Sequence, residues 1–351
     1  MPQALWWGRC DPEYSRNRIL CRLFADLGWE VRFFRPLASQ TGGFEALFHG
    51  LKRPDLVWVP CFRQRDVRSA AAWARKWQVP LVLDPLISAY EKEVFERNKW
   101  PPDSKPAEKK RLFESALFAA ADVVVADTPA HAEFFNQRLH VRPDRLCVLY
   151  VGAEADMFSP SPLENLRPPF EIFFFGSFLQ LQGADVIVKA AKMTPDLAAR
   201  WVLLGDGELK TQVEKQARGA SNIAFEPWVR YDELPRRIAR AHILLGIFGT
   251  TVKADLVIPN KMFQAMAAGR PVITRVATAY PQPVKESDVI GWVSPGNPEA
   301  LANVVRKWLT DPADLDRRGQ ETRRLFDTFF SAGQLREQLE MILEKARKAG
   351  R

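Results

Sequence analysis

Ile258-Pro259-Asn260-Lys261-Met262-Phe263-Gln264-Ala265-Met266-Ala267-Ala268-Gly269-Arg270-Pro271-Val272-Ile273-Thr274 contains a complete helix–turn–strand unit. Met262, Phe263, Met266 and Ala267 recur at helical spacing and form one apolar face. Gly269 supplies a helix stop and Pro271 prevents continuation. Val272–Thr274 then reads as a short buried strand. Lys261 stands out within this unit. It falls in the first helical turn, where the macrodipole disfavours a cation by ~0.3–1 kcal/mol. An anionic ligand at that point would reverse the sign; a solvent-exposed lysine is the ordinary alternative.

The same unit repeats in both directions. Downstream lies Ile290–Val293, followed by helices at about 299–309, 315–329 and 333–348. Upstream, strands are expected at 172–175, 201–204, 223–225 and 243–247, with helices at 184–193, 209–218 and 232–241 between them. Before residue 158 the rhythm recurs with strands at 4–7, 31–34, 56–59, 81–84, 123–126 and 146–150. Helices are expected there at 16–27, 67–77, 108–121 and 130–138. Continuous apolar strands alternating with helices predict parallel sheets covered on both faces. The proline-rich stretch Phe158–Pro169 interrupts the pattern and reads as a linker.

The expected organisation is therefore an α/β chain of two doubly wound, Rossmann-like domains facing a central cleft. Residues 1–158 form the first, 159–169 the linker and 170–330 the second. Residues 331–351 form a terminal helix that could pack back on the first domain. A chain of 351 residues suits two such cores. No apolar run approaches the ~20 residues of a membrane span, and the N-terminus lacks the basic and apolar regions of a signal peptide. The four cysteines show no CxxC or metal spacing, so a reducing, cytoplasmic setting and no metal site are expected. The net charge of +8 suits an anionic ligand or surface. The basic residues are dispersed among acidic ones and no nucleic-acid motif occurs, which argues against nucleic acid.

In open α/β sheets, ligands bind beyond the carboxyl ends of the strands. Four loops of the second half lie there. Phe175-Gly176-Ser177-Phe178-Leu179-Gln180-Leu181-Gln182-Gly183 joins a strand to a helix start whose free N–H groups suit a phosphate. Leu204-Gly205-Asp206-Gly207-Glu208 permits positive φ, with an acid that either caps the next helix or meets a ligand. In Glu226-Pro227-Trp228-Val229 the tryptophan is either a nucleobase wall or a buried core residue. The fourth loop leads into Pro259, Asn260 and Lys261.

Together these segments, with Gly291–Ala302 and Val151–Pro160, resemble the GT4-like family of GT-B glycosyltransferases. The resemblance implies a nucleotide-sugar donor, UDP- or GDP-linked, and transfer to a glycan, lipid-linked or protein acceptor. It further implies retention of configuration and no metal or other cofactor. The diphosphate would meet the Gly176–Gly183 loop, the base would lie near Trp228 and Val229, and the ribose would meet Gln264. Many relatives carry an Arg and a Lys five residues apart in the first loop, where this chain has Ser177 and Gln182. Their pair of glutamates appears here as Leu256 and Gln264. Lys253 and Lys261 are the candidates to replace the missing charge.

In the first domain, Gly8–Asn17 opens a helix, with Ser15 as its expected cap and Arg16 as a candidate that reaches the cleft. Asp84, at a strand end, is a candidate to orient or deprotonate an acceptor hydroxyl; the alternative is a hydrogen bond within its loop. Thr128 and Pro129 read as a helix cap and first turn. The lysine-rich run Lys105–Arg111 could touch anionic membrane, or simply be a solvated helix start. Two further readings stand beside transfer: a non-catalytic GT-B protein that binds a nucleotide or a partner enzyme, and a sugar-nucleotide epimerase.

Overall fold

The computed structural model describes residues 1–163 and 166–350. Glu164 and Asn165 of the expected linker, and Arg351 of the expected terminal helix, lie outside the described residues. The chain divides into two compact units, Met1–Gly152 with Ala332–Arg351, and Ala153–Ser331. The stretch 153–158, expected at the end of the first domain, thus belongs to the second unit.

In the first unit, β1 (Gln3–Trp7), α1 (Ser15–Asp26), β2 (Glu30–Phe34), α2 (Gly42–Phe48) and β3 (Leu56–Val59) follow one another. Then come α3 (Val67–Trp77), β4 (Leu81–Leu83), α4 (Ala89–Glu91), α5 (Lys105–Phe118), β5 (Val123–Ala126), α6 (Pro129–Leu139) and β6 (Leu146–Val148). The six strands pair in the order β2-β1-β3-β4-β5-β6, each pair parallel. Strands β3, β4 and β5 are buried on both faces, as their unbroken apolar sequences require.

The second unit contains β7 (Phe170–Phe175), α7 (Ala184–Lys192), β8 (Ala199–Leu204), α8 (Lys210–Ala217), β9 (Ile223–Glu226), α9 (Leu234–Ala239) and β10 (Ile243–Leu245). It continues with α10 (Val252–Leu256), α11 (Asn260–Ala267), β11 (Val272–Arg275), α12 (Gln282–Lys285), β12 (Gly291–Val293), α13 (Pro298–Leu309) and α14 (Asp314–Phe329). Its parallel sheet runs β12-β11-β10-β7-β8-β9. Read from β9, this is the dinucleotide-fold order 3-2-1-4-5-6, so strand order reverses between β7 and β10. That is where a doubly wound sheet opens a crevice beyond its strand ends. The helix α15 (Ala332–Ala349) closes the chain. Its Leu335, Leu339, Ile342, Leu343 and Ala346 are buried in the first unit's core with Trp6, Phe24 and Trp58. Their i, i+4, i+7 spacing supplies the apolar stripe that this packing needs.

Among the described residues no helix is long and apolar enough to cross a membrane.

Candidate functional site

The loops leaving β7, β8 and β10 interlock at the reversal point of the second sheet. Gly176 N–H donates to the Leu204 carbonyl (3.0 Å), Phe178 N–H to Asp206 (2.8 Å) and Gly205 N–H to Glu226 (3.1 Å). The glycines follow from this closeness. A Cβ on Gly205 would lie 2.0 Å from the Gly176 carbonyl oxygen, and one on Gly207 2.5 Å from the Phe178 nitrogen. Both have positive φ, +135° and +152°. Gly205 and Gly207, read from sequence as donor contacts, are thus required first by backbone packing. Asp206 is exposed, and its Oδ1 accepts from the Gly207 N–H at 2.8 Å. The following helix has Leu209 as its cap residue and no side-chain cap bond.

On its other side the first loop meets the turn after β10. Phe248 N–H donates to the Gln182 carbonyl (3.0 Å) and Gly249 N–H to that of Leu181 (3.2 Å). Gly183, at φ +67°, brings the start of α7 against this backbone, and a Cβ there would fall 2.6 Å from the Gly249 nitrogen. Gly249 itself is indispensable, since its Cβ would meet the Gln180 carbonyl at 2.4 Å. In the sequence, the signal of this turn is a glycine just beyond a strand end, which the four loops above do not include. Arg275 lies outside those loops too. It is buried, donates to the Gly249 carbonyl (2.9 Å) and pairs with Asp255 of α10 (2.9 Å), so it staples the turn to that helix.

Lys261 enters this assembly from α11. Its side chain is 6% exposed. Its Nζ donates to Gln182 Oε1 at 2.5 Å and lies 3.6 Å from the centre of the Phe174 ring. Gly176 is glycine partly on its account, because a Cβ there would sit 2.9 Å from that nitrogen. Among the described residues no carboxylate pairs with Lys261. Burial pushes its pKa well below the usual lysine range. The aromatic face and the amide offset part of that cost. The start of α11, with Pro259 as a cap residue lacking a side-chain bond, adds positive field. Asn260 is half-buried in the first turn and Ser177 half-buried beside Gly176. The protein thus gathers a lysine, glycine backbone and two helix starts at one place; the carboxylate in the first turn of α7, Asp185, is paired with Lys189 at 3.1 Å.

Gln264 lies one turn further along α11 and is 4% exposed. The Tyr231 hydroxyl donates to Glu154 Oε2 (2.7 Å), so its oxygen accepts from Gln264 Nε2 (3.2 Å). This chain fixes which way round the amide sits and leaves Gln264 Oε1 as an acceptor. Trp228 is 52% exposed beyond the end of β9, with Val229 half-buried beside it. The buried-tryptophan alternative is therefore overturned. Lys253 is buried on α10 next to Ala254, which packs with Leu181 of the first loop.

In the first unit, Arg16 and Asp84 meet each other. Arg16 Nε and Nη2 grip both carboxylate oxygens at 2.8–3.0 Å, and Nη1 donates to the Leu149 carbonyl at 3.1 Å. Both side chains are buried, at 1% and 0% exposure. Burial opposes the guanidinium's charge, but Asp84 beside it outweighs burial and raises its pKa. Both side chains are thus enclosed within the first unit and committed to each other. Their geometry is that of an internal strut from α1 to the end of β4. Ser15, the expected cap, is the first residue of α1, and Tyr14 precedes it.

A second buried group escaped the sequence reading altogether. His131 Nδ1 lies 2.6 Å from Asp127 and its Nε2 2.8 Å from Glu91. Burial alone would discharge the ring, but Glu91 and Asp127 outweigh it and bring the pKa up to about 10. The imidazolium therefore ties α6 to α4. The Thr128 hydroxyl caps α6 by accepting from His131 N–H at 3.0 Å, as its sequence suggested.

The family described as glycosyl transferases group 1 matches residues 169–311, and that of the glycosyl transferase 4-like domain matches residues 8–152. Fold and matches together show that the chain belongs to the GT4-like GT-B glycosyltransferases. It is similar to the D-inositol 3-phosphate glycosyltransferase 1 of Catenulispora acidiphila, at 27% identity over 58% of this chain and 52% of that one. The chain thus spans about half the length of that relative. Among solved structures it resembles Anabaena HepE in complex with UDP and glucose (TM-score 0.73, 15% identity, 98% and 99% of the two chains). It also resembles sucrose-phosphate synthase from Thermosynechococcus elongatus (TM-score 0.75, 15% identity, 98% of each chain).

Proposed function

We propose that the second unit binds a nucleoside-diphosphate sugar and that the protein transfers its sugar to a hydroxyl of a glycan, lipid-linked or protein acceptor. The observation that carries this reading is Lys261, a buried lysine with no carboxylate partner among the described residues, held beneath the glycine loop at the sheet's reversal point. A diphosphate is the complement of such a place. It would take the charge of Lys261 and the N–H groups at the starts of α7 and α11. The similarity to HepE, whose structure holds UDP and glucose, supports the same ligand class.

In this reading Lys261 does the work of the Arg and Lys that relatives carry at the positions of Ser177 and Gln182. The ammonium comes from a neighbouring helix, and Gln182, which replaces the lysine, receives it. As the glycosidic bond breaks, negative charge grows on the departing diphosphate. A cation already fixed in a poorly hydrated place stabilises that charge without reorganisation. Gln264 Oε1 would accept from a ribose hydroxyl, and exposed Trp228 with Val229 would flank the base. Arg16 and Asp84 have no role in the chemistry here; positioning and leaving-group stabilisation carry it. Retention of configuration and independence from metal, both implied by the family resemblance, complete the proposal.

The experiment is calorimetric titration of UDP- and GDP-sugars, followed by nuclear magnetic resonance of the released sugar. Saturable binding with slow hydrolysis, and a product of unchanged anomeric form, is expected. Binding without turnover in the presence of a range of hydroxyl acceptors would favour the non-catalytic nucleotide-binding reading.

A further inference from the structure

Helix α2 of the first unit turns its apolar face outward. Phe44, Leu47 and Phe48 follow i, i+3, i+4 spacing and are 70%, 51% and 90% exposed. Leu37, just before the helix, is 79% exposed, and Leu112 and Phe113 on α5 are 54% and 40% exposed. Single exposed apolar residues are ordinary on protein surfaces, whereas a cluster marks a place of contact. Between α2, α3 and α5 lies a cavity of about 880 Å³ lined by Phe44, Leu47, Trp73, Phe113 and Leu117. That volume is in the range of sites that hold small molecules, about 300–1,000 Å³.

Three exposed cations, Arg65, Arg68 and Lys76, share the lining of this groove. None of them is ion-paired among the described residues. Arg68 lies over the Phe113 ring and Lys76 over those of Trp73 and Trp77. Nearby carboxylates are committed elsewhere. Asp66 is buried against Arg63, and Glu45 accepts from the N–H groups of Leu37 and Ala38. From residue 35 to 76 the sequence carries eight Lys and Arg against three Asp and Glu. A short helix with an outward apolar face, beside an apolar groove rimmed by uncompensated cations, matches the chemistry of an anionic amphiphile.

We infer that this face of the first unit docks on an anionic lipid surface. Helix α2 enters the boundary between headgroups and chains, Arg65 and Arg68 meet lipid phosphates, and the groove lodges an acyl chain. The lysine-rich run Lys105–Arg111 is a poorer candidate than its sequence suggested. There Lys110 pairs with Glu93 and Arg111 grips Glu108 with two nitrogens. The inference is independent of the nucleotide reading, since every residue in it belongs to the first unit.

The test is co-sedimentation of the full chain with phosphatidylglycerol-containing and pure phosphatidylcholine vesicles, at low and high salt. Binding to the anionic vesicles, weakened by salt, is expected. The Phe44→Ser/Phe48→Ser and Arg65→Glu/Arg68→Glu pairs should each lower partitioning at least about tenfold. Melting temperatures should hardly change, because these side chains are exposed. Phosphatidylglycerol carrying a diazirine in its acyl chain should photolabel residues of α2, α3 and α5. Equal binding to both vesicle types, no binding, or undiminished binding of both variants would overturn the inference. So would labelling confined to other elements, or binding of an acidic soluble protein by a chain that ignores vesicles.

Discussion

Lys261 Nζ and Gln182 Oε1 lie 2.5 Å apart although 79 positions separate them in the chain. The pair joins the first turn of α11 to the loop that precedes α7. It puts a positive charge where the family resemblance would place one on residue 182 itself.

Removing that ammonium should stabilise the ligand-free protein or leave it unchanged. The folded pKa of Lys261 is depressed, and an unfolded lysine titrates near 10.5. Between the folded and unfolded values the unfolded chain binds more protons, so stability rises with pH across that window. The penalty is complete below the folded pKa and is gone above 10.5. Lys261→Met should therefore flatten the alkaline rise seen in urea titrations. A wild-type stability that falls through the same window, with no difference in the variant, would refute this.

Ligand binding should reverse the shift. A diphosphate beside Lys261 favours its charged form, so binding should be accompanied by proton uptake at pH values between the pKa of the free protein and that of the complex. Calorimetry in buffers of different ionisation enthalpy measures that uptake. It should vanish in Lys261→Met.

His131 gives the opposite pH signature. Its folded pKa of about 10 exceeds the ordinary 6.5. Its contribution is fully present below about 6.5 and is lost as pH rises through 10. His131→Gln should lose stability chiefly at neutral and lower pH and converge with wild type at high pH. Parallel stability curves would contradict the ion-paired assignment.

Much of the second unit was legible from the sequence. The helical spacing of Met262, Phe263 and Met266 and the stop at Gly269 mark α11, and the apolar runs mark the strands. The partners of charged side chains were not legible, because they depend on which strand ends become neighbours. Arg16 and Asp84 are 68 positions apart and look like site residues at two separate strand ends. Only the sheet order brings them together as one buried pair. Gly205 and Gly207 look like ligand loops, yet the approach of the Gly176 turn is what demands them. His131 carried no signal of its own, since its carboxylates come from one helical turn earlier and from a helix 40 positions away.

The buried strut in the first unit should behave as structure rather than catalysis. Asp84→Asn leaves Arg16 buried without its countercharge and should cost about 3–5 kcal/mol. Replacing both residues, Arg16→Met with Asp84→Leu, should cost less than the single change. Chemical denaturation measures both. An Asp84→Asn protein of wild-type stability that has lost turnover would instead return Asp84 to the reaction.

Glycine at 205 should tolerate no side chain. A Cβ 2.0 Å from the Gly176 carbonyl oxygen, at φ +135°, forces the two loops apart. Gly205→Ala should destabilise by about 2–4 kcal/mol and weaken diphosphate binding with it. Thermal melting with and without nucleotide would show both effects.

The most direct test exchanges the two residues of the opening pair. UDP and GDP, with the matching monophosphates, are titrated by calorimetry into wild type, Lys261→Gln, and the swap Gln182→Lys/Lys261→Gln. The account predicts a loss of about 2 kcal/mol, roughly thirtyfold, for the diphosphate in Lys261→Gln. The monophosphate should lose less, and the swap should recover most of the affinity. Equal diphosphate affinity in wild type and Lys261→Gln would contradict it.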